Sequence, residues 1–266
     1  MITPEIFWSA PFTKSGKSAL VIRGPWVYAM SGIGALYKAD PKLLKDVTPK
    51  PLEVADGEVF AYVVDIISWS SNASDLVVEA PDLIQYMEGA FFVKVIYNNK
   101  KYLYCPYMWV DNDLPFLRGL LAGWPKKLAK IAITRLHPLL EHLDKPRKGI
   151  KLGGYLTRAG SMLYRIKVEL LTDSPLNKIP LLTEYSFLLP RYFAGIAPGL
   201  GAINELIEFD GETNAMAWEG IGKLEILGSV NDELDSFKPL SDVKGYYFIQ
   251  SLRVKGLKNV GKLDGF

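Results

Sequence analysis

The sequence predicts an α+β fold: a large, mainly antiparallel β-sheet closed on itself, with a few short flanking helices. Three observations carry this. Runs rich in β-branched and aromatic residues recur along the chain, each bounded by Gly, Pro, Asn or Asp. These runs do not alternate with long helical patterns, which argues against a doubly wound parallel sheet. The 266 residues are 49% hydrophobic and contain no linker, repeat or low-complexity run, so a single domain over residues 1–266 with a sizeable core is expected.

Residues 18–38 read as short strands joined by turns at Gly24-Pro25 and Ser31-Gly32. Asp40 then caps a short helix with Pro41 at its first position, and Pro49-Lys50-Pro51 stops it. Val59–Ser68 is β-branched and aromatic and forms a strand. Residues 70–84 are mixed, with a turn at Asn72–Asp75, and read as a loop or lid insertion. Tyr86–Tyr97 and Tyr102–Val110 make a hairpin across Asn98-Asn99-Lys100-Lys101. Asp113 caps the next helix, Pro115 lies near its first turn, and Gly123-Trp124-Pro125 ends it and delivers Lys126. The second half offers strands at 131–136, 152–158, 162–171, 185–192, 215–227 and 246–254. Ala194–Gly201 reads as a flexible loop, and Leu206-Ile207 sits in a segment that the pattern assigns to no class.

The net charge of +2 is too mild for a nucleic-acid footprint, and the basic run at Lys145–Lys148 reads as a solvated loop. No apolar run reaches the ~18 residues of a membrane span, and the N-terminal stretch lacks the pattern of a secretory signal. The single Cys105 allows no internal disulfide. A soluble cytoplasmic protein without nucleic-acid or membrane partners is the expectation. Two histidines, His137 and His142, and one cysteine argue against a His/Cys metal site.

Chemistry concentrates in Tyr86–Lys130, centred on Trp124-Pro125-Lys126-Lys127. A free lysine titrates near about 10.4, so a nucleophilic amine needs a lowered pKa. Burial and a nearby like charge both lower it. Phe91, Phe92, Met108, Trp109 and Trp124 offer an apolar shell, and Lys127 offers the charge. Adjacent side chains on a strand point to opposite faces, so Lys127 can sit away from Lys126, and desolvation is the larger effect expected. By the same alternation only one of Met108 and Trp109 can face a pocket. Alone, Glu88 also reads as an outward strand carboxylate, Trp124 as a core aromatic and Arg23 as a turn cation.

In chain order, Tyr86-x-Glu88, then Cys105-Pro106-Tyr107-Met108-Trp109-Val110-Asp111-Asn112-Asp113, then Gly123-Trp124-Pro125-Lys126-Lys127-Leu128 resemble the motifs of the acetoacetate decarboxylase family. Arg23-Gly24-Pro25, Pro49-x-Pro51-Leu52-Glu53, Leu189-Pro190 and Ala217-Trp218-x-Gly220 have weaker counterparts, so the resemblance runs over nearly the whole chain. It implies a cone-like barrel in a large homo-oligomer. It implies that Lys126 forms a Schiff base with a ketone, that Lys127 helps keep it deprotonated, and that Glu88 lies in the pocket. Activation of a lysine by desolvation or a neighbouring cation is known for this family. The implied substrate is a β-keto acid. The protonated imine accepts the electron pair released as carbon dioxide leaves, and the enamine is reprotonated and hydrolysed. The iminium is itself the electron sink, so no metal or organic cofactor is implied.

The departures are specific. The family's decarboxylases place an arginine where this chain reads Tyr28-Ala29-Met30-Ser31-Gly32. A second pocket glutamate falls near Tyr62, and a Gly-Arg-Glu becomes Arg118-Gly119-Leu120. Residues 70–84 are longer than in the decarboxylases. Met108, Trp124, Tyr62 and Arg23 are the candidate pocket residues beside Lys126, Lys127 and Glu88. Three readings stand: decarboxylation of acetoacetate or a bulkier relative, aldolase or dehydratase chemistry through the same imine, or a non-catalytic binding barrel.

Overall fold

The computed structural model describes residues 8–195 and 197–265. Residues 1–7 of the N-terminal stretch and Ile196 of the expected 194–201 loop lie outside the described residues. In chain order the elements are β1 (Val27–Lys38), α1 (Pro41–Leu44), β2 (Glu53–Trp69), α2 (Leu76–Glu79), β3 (Gln85–Tyr97), β4 (Lys100–Val110), α3 (Asp113–Ala122), β5 (Lys126–Leu128), β6 (Lys130–Ile133), β7 (Lys151–Arg158), β8 (Ser161–Leu170), β9 (Phe187–Phe193), β10 (Ile203–Ile226) and β11 (Lys244–Gly261). The hydrogen-bonded order β11-β1-β2-β3-β4-β9-β10 closes because β10 also pairs with β11, which makes a ring of seven strands. Pairing is antiparallel except where β4 runs parallel to β5 and β9.

β10 belongs to two layers. Its first part pairs with β9 and β11 in the ring, and Gly220–Ile226 pairs with β8. From there β8, β7 and β6 fold over the outside of the ring. Inside the ring pack Phe60, Tyr62, Phe92, Met108 and Phe248. Outside, Ile33, Val63, Phe91 and Trp109 pack with Tyr164 and Ile166 of β8. Burial on both faces explains why Val59–Val64 is a continuous apolar run rather than an alternating one.

Several expectations hold locally. Asp40 caps α1, accepting from the Lys42 amide at 2.8 Å, and Gly123, at φ 101°, ends α3 in the left-handed conformation. Others are corrected. There is no turn at Ser31-Gly32, because β1 runs through it. Gly32 faces the ring interior, where a Cβ would collide with the Val63 carbonyl and the Val64 side chain, so the glycine serves a close strand approach. The hairpin turn is only Asn98-Asn99, both at positive φ (48° and 60°), as a two-residue primed turn requires; Lys100-Lys101 open β4. Asn112 rather than Asp113 caps α3, accepting from the Leu114 amide at 3.0 Å. The expected strand 131–136 is the shorter β6, which ends at Ile133, and a further short strand, β5, precedes it at Lys126–Leu128. Leu206 and Ile207 join 215–226 in one strand that two register shifts bend.

Residues 70–84 are not an open loop. They hold α2 between short 3₁₀ turns, and Ala73 and Ile84 pack on Ile22, Trp26 and Leu114. The segment buttresses the wall where α3 meets the chain before β1. No helix among the described residues is long and apolar enough to cross a membrane.

Candidate active site

The left-handed Gly123 turns the chain out of α3, and Trp124-Pro125 leads it into β5 beside β4. There Lys126 pairs with Met108 and Lys127 with Trp109. The alternation of a strand sends Lys126 into the ring and Lys127 out of it. Glu88 on β3 and Tyr62 on β2 also point inward. The buried Lys126 Nζ donates to Glu88 Oε2 at 2.7 Å, and Tyr62 OH donates to Glu88 Oε1 at 2.6 Å. The Lys126 ammonium lies 5.5 Å from the centroid of the Tyr86 ring. Burial pushes the Lys126 amine below its usual range; Glu88 pulls it up, and the Arg118 guanidinium pushes it further down. Burial, and then the charge of Glu88, lifts the Tyr62 phenol well above its ordinary value, so Tyr62 remains a donor to that carboxylate.

Arg118 is the unforeseen member. It lies on α3 and stacks over Trp26 at 4.2 Å and Tyr28 at 5.1 Å from the ring centroids. Its Nη1 and Nη2 are buried without a hydrogen-bond partner among the described residues. A buried guanidinium with two spare donors suits a planar anion. Gly119 follows it and gives the lysine room: a Cβ there would collide with Cδ and Cε of Lys126.

These groups share one cavity of about 860 Å³, walled by Met108, Phe92 and Trp124. Arg23 also lines it, from the exposed rim. The structure therefore brings Lys126, Glu88, Tyr62, Met108, Trp124 and Arg23 to one space. Phe91 and Trp109, expected in the apolar shell, belong instead to the outer core.

Lys127 does not join them. Its ammonium contacts the Asn231 carbonyl and Asp232 Oδ1, the latter at 3.0 Å. The fully buried Asp232 also accepts from Trp109 Nε1 at 3.0 Å, Ser229 Oγ at 2.9 Å and Arg158 at 3.1 Å. Burial raises the Asp232 carboxyl, but the bonds from Lys127, Trp109 and Ser229 and the charge of Lys127 outweigh this and hold it below its ordinary value. The geometry lends no support to the expectation that Lys127 keeps Lys126 deprotonated: β5 turns Lys127 to the other face, and the cation whose charge pushes the Lys126 amine down is Arg118. The sequence signal for Arg118 was a lone cation within the apolar run Phe116–Ala122. Among the described residues no group of three or more His, Cys, Asp or Glu is gathered as a metal site needs.

A buried lysine amine against one carboxylate, inside a closed ring of strands, fits the motif block around Lys126. A family model described as acetoacetate decarboxylase (ADC) matches residues 9–263. The chain belongs to the acetoacetate decarboxylase family. An acetoacetate decarboxylase of Burkholderia vietnamiensis (strain G4 / LMG 22486) is 26% identical over 196 residues, covering 71% of this chain and 69% of that protein. An acetoacetate decarboxylase-like enzyme from Sphingomonas wittichii RW1 superposes with a TM-score of 0.85 at 24% identity, covering 92% of this chain and 96% of that one. The enduracididine biosynthesis enzyme MppR, solved with the condensation product of pyruvate and imidazole 4-carboxaldehyde, superposes with a TM-score of 0.83 at 22% identity, covering 96% of both chains. At these identities the two solved structures establish the fold. Membership of the acetoacetate decarboxylase family supports an enzyme of the lyase type.

Proposed function

We propose that this protein decarboxylates a β-keto acid through an imine at Lys126. The observation that carries the reading is the buried Lys126 amine, its pKa lowered chiefly by desolvation, 2.7 Å from Glu88. The neutral amine attacks the ketone carbon, and water leaves. The protonated imine takes up the electron pair of the carbon–carbon bond as carbon dioxide departs. The enamine is protonated at carbon, and water returns the ketone and the free lysine. Glu88, bonded to both Lys126 and Tyr62, is placed to carry protons in the dehydration and hydrolysis steps. Arg118 supplies, from α3, a cation for the substrate carboxylate, which the Tyr28–Gly32 segment lacks.

A second reading has its own support. The cavity of about 860 Å³ far exceeds the needs of a four-carbon acid. The fold is shared with MppR, whose solved complex holds a condensation product of pyruvate. The same imine, with Glu88 moving protons, would serve aldol addition and dehydration. In both readings the substrate is a small keto acid and no metal or organic cofactor takes part. We further infer a cytoplasmic homo-oligomer without nucleic-acid or membrane partners. The exposed Ile67, Trp69 and Met216 would suit subunit contact, and light scattering tests the assembly.

The deciding experiment is borohydride trapping with acetoacetate, pyruvate and longer keto acids, followed by peptide mass mapping. An adduct on Lys126 with carbon dioxide release from acetoacetate supports decarboxylation. An adduct without carbon dioxide release favours condensation. No adduct with any keto compound sinks both.

A further inference from the structure

We propose that Gln250 reads a neutral hydrogen-bonding group on the far end of the substrate. The substrate is then a keto acid with a tail that carries a hydroxyl, carbonyl or amide. The proposal rests on the reading above only for where the near end binds.

The inward residues of β11 are Tyr246, Phe248, Gln250, Leu252 and Val254. Gln250 is the only carboxamide in this row, and it lines the same cavity as Lys126. It is 8% exposed. Its neighbours along the strand, Phe248 and Leu252, are apolar, and so are its cross-strand partners Met30 on β1 and Ala215 on β10. No side-chain hydrogen bond joins its carboxamide to any described residue, whereas the buried Glu88 is bonded twice. Its carboxamide atoms are not sealed against protein but keep access to the cavity space, so their hydrogen bonds are left to whatever fills that space.

The place of β11 in the ring says what that is. Counting strands from β4, which carries β5 and Lys126, β11 is reached in three steps through β9 and β10 or in four through β3, β2 and β1. It is the opposite wall. A keto acid held as an imine at Lys126, with its carboxylate toward Arg118, therefore extends its tail toward Gln250. The cavity of about 860 Å³ is in the range that encloses ligands much larger than acetoacetate. The group read there is neutral, because the inward neighbours of Gln250 in the sheet, Met30, Ala215, Phe248 and Leu252, are apolar, and an anion desolvated against them would be disfavoured.

The test uses 3-hydroxy acids of equal chain length ending in methyl, hydroxyl, amide or carboxylate. They have no ketone and form no imine. Binding is read from quenching of tryptophan fluorescence, to which Trp124 in the wall contributes. The native protein should hold the hydroxyl- and amide-ended probes about tenfold tighter than the methyl-ended one. Gln250→Leu should erase that preference. Gln250→Glu, which only accepts, should keep it for the donor-bearing hydroxyl- and amide-ended probes. Absence of the preference in the native protein, tightest binding of the carboxylate-ended probe, or a preference that survives Gln250→Leu would each overturn the proposal. Trapping at Lys126 is a separate readout, so failure of the imine and failure of the tail site are distinguishable.

Discussion

Lys126 and Lys127 are consecutive residues of one short strand, yet one stands inside the ring and the other outside it. Each meets a buried carboxylate. Inside, Glu88 is shared between Lys126 and Tyr62, and Arg118 adds a second positive charge nearby. Desolvation then prevails, and the amine is pushed toward its neutral form. Outside, Asp232 is met by Lys127, Arg158, Trp109 and Ser229, and the Lys127 side chain keeps 30% of its exposure. A carboxylate alone does not decide whether a lysine becomes a nucleophile. Burial and the balance of charge around it do, and strand alternation is the device that gives two adjacent lysines opposite answers.

The sharpest way to break this contrast is to remove the inner amine. Lys126→Met should lower kcat by at least about 10⁴-fold, as loss of a covalent nucleophile does. Borohydride should then trap nothing, because Lys127 cannot reach the cavity. A residual adduct on Lys127 would show that the two faces exchange.

The next pair of substitutions tests which charges tune Lys126. Glu88 raises its pKa and Arg118 lowers it. The reactive species is the free amine, so kcat/KM climbs with pH through that pKa. Glu88→Gln should move the acid limb to lower pH, while proton transfer slows by roughly 10²-fold or more. Arg118→Met should move the limb to higher pH and raise KM for a carboxylate substrate. Shifts in the same direction would contradict the charge balance described for the inner face.

Much of this arrangement was readable in the sequence, and the division follows distance along the chain. Asp40, Gly123 and the β-branched runs announce their roles within a few residues, and the motif block around Lys126 is continuous. Alternation alone anticipated that Lys127 could face away and that only one of Met108 and Trp109 could face the pocket. Gly32 was misread because a glycine carries the same local signal in a turn and where two strands crowd together. Arg118 could not be placed, since its site depends on how α3 packs on Trp26 and Tyr28. Asp232 reaches Lys127 from the loop after β10, a separation no local pattern reveals. Gln250 looks like any strand glutamine until the ring closes and shows which wall it stands on.

A smaller effect probes the room left for the inner lysine. Gly119→Ala should strengthen α3 by up to about 1 kcal/mol through helix propensity. The new methyl must displace the Lys126 stem, however, because it would collide with Cδ and Cε. A displacement of about 1 Å at a reacting group can cost roughly 10²-fold, so kcat should fall by about 10- to 100-fold with little change in Tm. Unchanged kcat would mean that the lysine has slack the inner face does not suggest.

The outer face should matter least to the chemistry and more to the fold. Lys127→Met should change kcat by a few-fold at most and leave the acid limb in place, since Lys127 does not act on Lys126. Asp232→Asn should cost about 2 kcal/mol of stability, less than an enclosed ion pair because Lys127 and Arg158 can turn to water. The sign of its pH dependence follows from the lowered pKa of Asp232. The carboxylate contributes fully above its unfolded value near 3.8, and that contribution is lost as pH falls through the lower folded value. The stability gap between native protein and Asp232→Asn, read by denaturant unfolding, should therefore be widest near neutral pH and narrow below about pH 4. A large loss of kcat in Lys127→Met would overturn the separation of the faces. A gap that stays constant into acid would instead show that Asp232 acts by shape, with its charge of no account.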